Sequence, residues 1–305
     1  MARIKVAVLV GPTAVGKTEL ALDLASALGA EIVNADSMQV YRELDIGTAK
    51  PTLAERARVS HHLVDVADPD EPYDAARYTR EGRETIALLH RRGVSSLVVG
   101  GTGLYIKALL AGLFHQEEEV REVRLRLARE LADQGLPALL ARLQALDPAT
   151  ARRLAKGDTY RIVRALEVVE ATGHPLSEAH AAHGFQDRPY DTLKLGLELP
   201  REELYRRIEA RVDAMLAQGW LEEVRGLLPR YPPGIKPLQA LGYRHLVAHL
   251  EGRLSLAEAT EQTKKETRRY AKRQLTWFRA DPEVRWFHPD QGQEALDLLK
   301  NFFQR

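Results

Sequence analysis

The chain has 305 residues, 45% hydrophobic and 29% charged, with 44 Lys+Arg against 43 Asp+Glu for a formal net charge of +1. This is the composition of an ordinary globular protein of one large or two modest domains, which excludes fibrous and disordered classes. Cysteine is absent, which excludes disulfides, thiolate metal sites and cysteine nucleophiles. The N-terminus enters a short apolar run directly and no stretch reaches membrane-spanning length, so a soluble cytoplasmic protein with no membrane partner is expected.

The apolar run Ile4–Val10 predicts a buried parallel strand. It leads into Gly11-Pro12-Thr13-Ala14-Val15-Gly16-Lys17-Thr18, the G-x-x-x-x-G-K-[ST] pattern of a phosphate-binding loop. Its two glycines let the backbone curl so that several N–H groups point at one anion. Lys17 supplies a mobile positive charge, and the Thr18 hydroxyl can ligate Mg²⁺. Residues 19–28, rich in Ala and Leu, predict the helix whose N-terminal dipole faces that anion. A second strand at residues 31–33 ends in Asn34-Ala35-Asp36-Ser37-Met38-Gln39-Val40-Tyr41. The C-terminal edge of an open α/β sheet is where ligands bind, so Asp36 is expected near the loop. Three roles are open to it: holding Mg²⁺, taking a proton from a nucleophile, or capping a following helix.

Asp45-Ile46-Gly47-Thr48-Ala49-Lys50-Pro51 reads as a loop, and residues 61–66 as a strand. His61 and His62 face opposite ways in a strand and have no third ligand at a useful spacing, which favours hydrogen bonding over metal. A helix at residues 75–91 precedes a buried strand at 96–99, which ends in Gly100-Gly101-Thr102-Gly103-Leu104-Tyr105. There Thr102 can cap the next helix or donate to a phosphate.

From about residue 114 to 188 strand signals vanish, and helical periodicity runs through 120–132, 136–146 and 159–171. The expected fold is therefore α/β: a P-loop NTPase-like parallel sheet flanked by helices, carried by residues 1–113 and 189–305, with an all-helical insertion at 114–188. In that insertion Asp158-Thr159 caps a helix bearing Tyr160, Arg161 and Arg164, the arginines being either solvated or available to a partner. A strand at 193–199 is followed by a helix at 202–218, with Arg207 and Arg211 at i, i+4 on one face. Another helix is expected to open at Leu238-Gln239-Ala240-Leu241-Gly242-Tyr243-Arg244. Residues 264–274 hold Lys264, Lys265, Arg268, Arg269, Lys272 and Arg273, a stripe suited to a nucleic-acid backbone. Residues 284–287 could add an edge strand.

Two chemistries use such a loop: phosphoryl transfer from a nucleoside triphosphate, or transfer of a group carried by a diphosphate leaving group. The loop alone leaves both open. In order, residues 11–18, 36–41, 45–51 and 99–105 and the triplet Gly242-Tyr243-Arg244 resemble the motifs of the bacterial tRNA dimethylallyltransferases, or tRNA isopentenyltransferases, over residues 8 to about 279. The resemblance implies that the loop holds dimethylallyl diphosphate rather than ATP. It also implies that the prenyl group passes to N6 of adenine 37, beside the anticodon of tRNAs reading codons that begin with U.

By the same resemblance, Gly11, Thr13, Ala14, Val15, Gly16, Lys17, Thr18 and Thr102 would hold the diphosphate with Mg²⁺ on Thr18, and Arg207 and Arg211 would add charge. Asp36 would be the general base, with Thr102 beside it, and Ser37, Met38 and Gln39 would line the adenine pocket. Tyr160, Arg161, Arg164, Gly242, Tyr243 and Arg244 would contact the anticodon stem-loop, helped by Lys272 and Arg273. Arg121 keeps the position of a family tRNA contact, but its lead-in is Glu117-Glu118-Glu119, where relatives often carry an Asp-Pro-Glu-like stretch. A monomer is expected. The rival activities are prenyl transfer to free adenine nucleotides, a small-molecule kinase, and an RNA-binding module without chemistry.

Overall fold

The computed structural model describes residues 3–112, 120–178 and 187–304, the side chains of Val120 and Arg121 excepted. Six strands form one sheet: β1 (Ile4–Val10), β2 (Glu31–Asn34), β3 (His61–His62), β4 (Ser96–Gly100), β5 (Tyr190–Leu197) and β6 (Val284–Phe287). Their order is β3-β2-β4-β1-β5-β6, and every pairing is parallel. Two cores follow from the period-2 alternation of side chains. Val6, Val8 and Val10 of β1 face one cluster with Tyr41, Tyr78 and Ile86, while Ala7 and Leu9 face the other with Leu20, Leu24 and Leu195. A strand buried on both faces has no need of polar positions, which is why β1 reads as a continuous apolar run from Val6 to Val10.

The helices of this α/β unit are α1 (Lys17–Leu28), α2 (Leu53–Arg58), α3 (Ala75–Arg91), α4 (Gly103–Ala111) and, beyond the helical unit, α8 (Arg201–Ala217), α9 (Trp220–Leu227), α10 (Tyr243–Leu250), α11 (Leu256–Arg279) and α12 (Gly292–Gln304). The chain divides into two compact units, one of residues 1–110 with 188–305 and one of residues 111–187. In the second, α5 (Val120–Leu146), α6 (Pro148–Arg153) and α7 (Thr159–Thr172) surround Leu127, Leu143, Ile162 and Leu166. Helix α5 breaks at Gly135 (φ 75°, ψ 168°), two residues before Pro137. Asp147 caps α6 by accepting from the Thr150 N–H (3.0 Å) and also holds the Ser177 N–H (2.9 Å) and hydroxyl (2.8 Å). Burial opposes its ionisation, but those hydrogen bonds outweigh it and bring its carboxyl down to about 2.

Two expected elements differ. Only His61 and His62 of the expected strand at 61–66 pair, because Leu63 (φ 60°) and Asp65 (φ 57°) take left-handed backbone. That turn brings Asp65 to Lys50 (2.6 Å) and Arg56 (2.7 Å). The helix expected to open at Leu238 starts instead at Tyr243, after Gly242 at φ 86°. Both histidines make hydrogen bonds as expected, His61 with the Val59 carbonyl and His62 with Glu31. Among the described residues no cluster of three metal-ligating side chains occurs, and no helix is long and apolar enough to cross a membrane.

Candidate active site

Three loops leave the C-terminal ends of β1, β2 and β4 side by side, and each carries one part of the site. After β1 the chain turns through Gly11 (φ 149°), Ala14 (φ 64°) and Gly16 (φ 103°) before α1 begins at Lys17. A side chain on Gly11 would crowd the Leu197 carbonyl. Positive φ at Gly16 carries little cost because it has no Cβ. The Lys17 ammonium donates to the carbonyls of Gly11 (2.9 Å) and Pro12 (2.7 Å), folding its side chain back over the loop.

After β2, Ala35 donates to the Val99 carbonyl (2.7 Å) and brings Asp36 to the same edge. One oxygen of Asp36, Oδ1, accepts from the N–H groups of Met38 (2.8 Å) and Gln39 (3.4 Å). Among the described residues nothing donates to its other oxygen. The capping role therefore falls to half of the carboxylate, and no helix follows it. After β4, the Thr102 hydroxyl accepts the Ser37 N–H (3.0 Å), and the Thr102 N–H donates to the Ala35 carbonyl (3.1 Å). Side chains on Gly100, Gly101 or Gly103 would overlap Ala35, Gln274 and Trp277 respectively. The Gly-Gly-Thr-Gly run is thus dictated by close approach of neighbouring chain.

These loops open onto a cavity of about 610 Å³ within the α/β unit. Lys17, Thr18, Asp36, Arg207 and Arg211 stand at its polar end, while Ile208, Val212, Met215, Trp220 and Leu241 line it elsewhere. Residues 208, 211, 212 and 215 share one face of α8, so a single helix supplies both the guanidinium and an apolar strip. Burial, aided by the positive charge of Arg211 and opposed by the Asp36 carboxylate, pushes the Lys17 amine down to about 7. Burial also lowers Arg211, again opposed by Asp36. Among the described residues neither cation has a carboxylate within ion-pair distance, whereas Arg207 pairs with Glu203 (2.8 Å). Two enclosed cations that destabilise each other favour an anion between them.

The loop at 45–51 is held by Glu223 of α9, which accepts the N–H groups of Asp45 (2.9 Å), Ile46 (2.7 Å) and Gly47 (3.3 Å) as well as the Tyr243 hydroxyl (2.6 Å). Side chains on Gly47 or Gly242 would run into the Trp220 indole. Inside the loop, buried Lys50 bonds the Tyr41 carbonyl (2.7 Å), Asp45 (2.6 Å) and Asp65 (2.6 Å). The Gln39 amide reaches the Thr48 and Ala49 carbonyls, both at 3.1 Å. Of the expected RNA contacts, Gly242 and Tyr243 are therefore buried rather than on the outer surface. Tyr243 is buried, its hydroxyl is taken by Glu223, and it meets the site only as part of the cavity wall. Arg244 is partly exposed and ion-paired with Glu266.

The other expected RNA contacts are distributed over both units of the chain. Tyr160 is 80% exposed, while Arg161 pairs with Asp158 (3.1 Å) and Arg164 with Glu167 (2.9 Å), all in the helical unit. Residues 117–119 and the Arg121 side chain lie outside the described residues. Helix α11 has two faces: Lys272 and Arg273 are exposed, Lys264 and Arg268 are tied to Asp213 and Glu209, and Thr263, Thr267, Tyr270 and Gln274 line the cavity. That inward face was missed, although its i, i+4, i+7, i+11 spacing was legible between the basic residues.

Comparison with known proteins agrees with this geometry. The family model described as "IPP transferase" matches residues 39–281, and one described as "Isopentenyl transferase" matches residues 4–65. The chain is 54% identical over 304 residues to a "tRNA dimethylallyltransferase" of Desulfosudis oleivorans, covering 99% of this chain and 97% of that protein. It is 51% identical over 301 residues to one from Geobacter sulfurreducens, covering 98% and 97%. Among solved structures, the tRNA isopentenylpyrophosphate transferase of Bacillus halodurans superposes with a TM-score of 0.74 at 36% identity, covering 98% of this chain and 97% of that one. A eukaryotic dimethylallyltransferase acting on tRNA superposes with a TM-score of 0.85 at 29% identity, covering 99% and 80%. With a family match over most of its length and relatives above half identity across nearly all of it, the chain belongs to the IPP transferase family.

Proposed function

We propose that this chain transfers the dimethylallyl group of dimethylallyl diphosphate to N6 of adenine 37 in the anticodon stem-loop of tRNAs reading codons that begin with U. The observation that carries this reading is one cavity whose lining joins Lys17 and Arg211, neither with a carboxylate within ion-pair distance among the described residues, to the Asp36 carboxylate and to apolar side chains of α8. That is a complementary surface for a molecule with an anionic head and a five-carbon tail. The tRNA acceptor comes from the names of the relatives.

In the proposed reaction the N6 lone pair forms a bond to the terminal allylic carbon, while the C–O bond breaks and its electron pair leaves with the diphosphate. Lys17, Arg211 and the loop N–H groups of residues 14–18 stabilise the charge that develops there. The free oxygen of Asp36 accepts the departing N6 proton, which offsets the poor nucleophilicity of an amine delocalised into its ring. The adenine must leave its stack to reach this carboxylate, which suits an anticodon loop better than a duplex.

Thr18 and Asp36 border the same cavity, and among the described residues no cage of three metal-ligating side chains surrounds them. That donor set fits Mg²⁺ held chiefly by substrate phosphates, with the Thr18 hydroxyl as its protein ligand. When bound, the ion would supply further neutralisation of the leaving diphosphate.

The test is mass spectrometry of tRNA digests after incubation with dimethylallyl diphosphate and Mg²⁺. Prenylated adenosine at position 37 is expected, and its absence with a folded protein overturns the proposal. Asp36→Ala should lose about 10²- to 10⁴-fold in transfer rate while keeping tRNA affinity; transfer at the parent rate would remove Asp36 as the base.

A further inference from the structure

Gln274 is buried on α11, yet both ends of its amide are bonded to backbone of other elements. Its oxygen accepts the N–H of Thr13 in the phosphate loop (2.9 Å), and its nitrogen donates to the carbonyl of Gly101 (2.9 Å). Two consequences follow. The Thr13 N–H is committed to a side chain, so the anion is met by the loop's other donors. The loop after β1 is also joined to the loop after β4, whose Thr102 hydroxyl in turn holds the Ser37 N–H of the Asp36 segment. One amide thus stands between the element that grips the donor and the elements that carry the carboxylate.

Tyr270, one turn earlier on α11, lines the same cavity as Gln274. Gly101 lies against Gln274 so closely that a Cβ there would overlap the amide nitrogen. The side chain is enclosed, and rotation of its amide would set carbonyl against carbonyl and N–H against N–H.

We propose that Gln274 is a positioning residue that locks the phosphate loop to the turn bearing Thr102, holding the donor's anionic head in register with the Asp36 carboxylate. The proposal rests on the transfer reaction above for its kinetic consequence, while the lock itself can be read without that reaction. A small loss of alignment is enough to matter, because a misplacement of about 1 Å can cost a reaction about 10²-fold.

The test compares Gln274→Leu with Gln274→Glu. Gln274→Leu should lower kcat about 10²-fold, with a smaller change in KM for tRNA and a circular dichroism spectrum like the parent. In Gln274→Glu the introduced carboxyl reproduces both hydrogen bonds only when protonated. Burial against a carbonyl oxygen raises its pKa, so the variant's rate relative to the parent at the same pH should climb as pH falls from 8 to 6. The ratio for Gln274→Leu should stay flat over that range.

Affinity for inorganic diphosphate, measured by calorimetry, provides the second readout and needs no acceptor. It should weaken several-fold in both variants and recover at low pH only in Gln274→Glu. Parent-like kcat in a folded Gln274→Leu overturns the lock, as does a Gln274→Glu ratio that does not change with pH. If the parent protein makes no prenylated tRNA, the proposed function fails on its own, and the diphosphate titrations still decide the lock. If Gln274→Leu does not fold, the pH dependence of Gln274→Glu decides it.

Discussion

The arginines of the helical unit and the cations of the cavity obey the same electrostatics to opposite ends. In the helical unit Arg124 and Arg164 share Glu167 (2.9 Å each), Arg126 and Arg142 share Glu130 and Glu170, and Arg161 holds Asp158 (3.1 Å). Arg124, Arg126 and Arg161 are exposed and Arg142 and Arg164 half-exposed, so these pairs stay open to solvent on the arginine side and contribute modest stability. In the cavity Lys17 and Arg211 are enclosed and have no carboxylate partner within ion-pair distance among the described residues. Enclosure that the Asp36 carboxylate only partly offsets raises the energy of both charged groups, and a ligand phosphate relieves it. A cation that the fold leaves uncompensated is thus a stronger sign of an anion site than any number of paired arginines on a surface.

The largest test of this contrast is Arg211→Ala. Removing one enclosed donor to a developing oxyanion should lower kcat/KM about 10²- to 10³-fold in the tRNA transfer assay. An unchanged rate would put Arg211 in the same class as the paired arginines.

The next is the pH dependence of the empty site. The Lys17 amine stands at about 7, below its ordinary 10.5, and a bound diphosphate raises it again. Binding should therefore take up a proton above about pH 7, and affinity should weaken as pH climbs from there. Calorimetry with inorganic diphosphate in buffers of different ionisation enthalpy reads the uptake, and Lys17→Met should abolish that component. The unfolded chain holds the proton up to the ordinary value, so Lys17 makes the ligand-free protein gain stability as pH rises between about 7 and 10.5.

A smaller effect is expected on the outer face of α11. Lys272→Ala and Arg273→Ala should each weaken tRNA binding and lower the slope of log affinity against log salt by about 1. A binding slope equal to the parent's would assign those two residues to solvent. The smallest is Arg164→Ala. Because Glu167 keeps Arg124 and the lost pair is partly exposed, thermal denaturation should report a stability loss of about 0.5 kcal/mol or less.

The phosphate loop and the Asp36 segment were legible because each is a short run whose place at a strand end follows from the pattern around it. Arg207 and Arg211 were legible as a shared face, but only packing separates them, leaving one paired with Glu203 and the other with no carboxylate within ion-pair distance among the described residues. The setting of Tyr243 was not legible, because nothing in the triplet Gly242-Tyr243-Arg244 reveals Trp220 and Glu223 packed behind it. Likewise, the glycines at 47 and 242 mark close packing against one indole, a relation between residues far apart in the chain.

From the sequence alone came the α/β alternation, the anion cradle and the order of motifs, since these depend on local periodicity and on which backbone conformations glycine permits. Tertiary structure alone decided which cations remain unpaired, which face of α11 turns inward, and that Gln274 reaches Thr13 across 261 residues. The physical reason is that hydrogen bonding and desolvation depend on what lies within a few ångströms in space, and for these residues those neighbours come from distant parts of the chain.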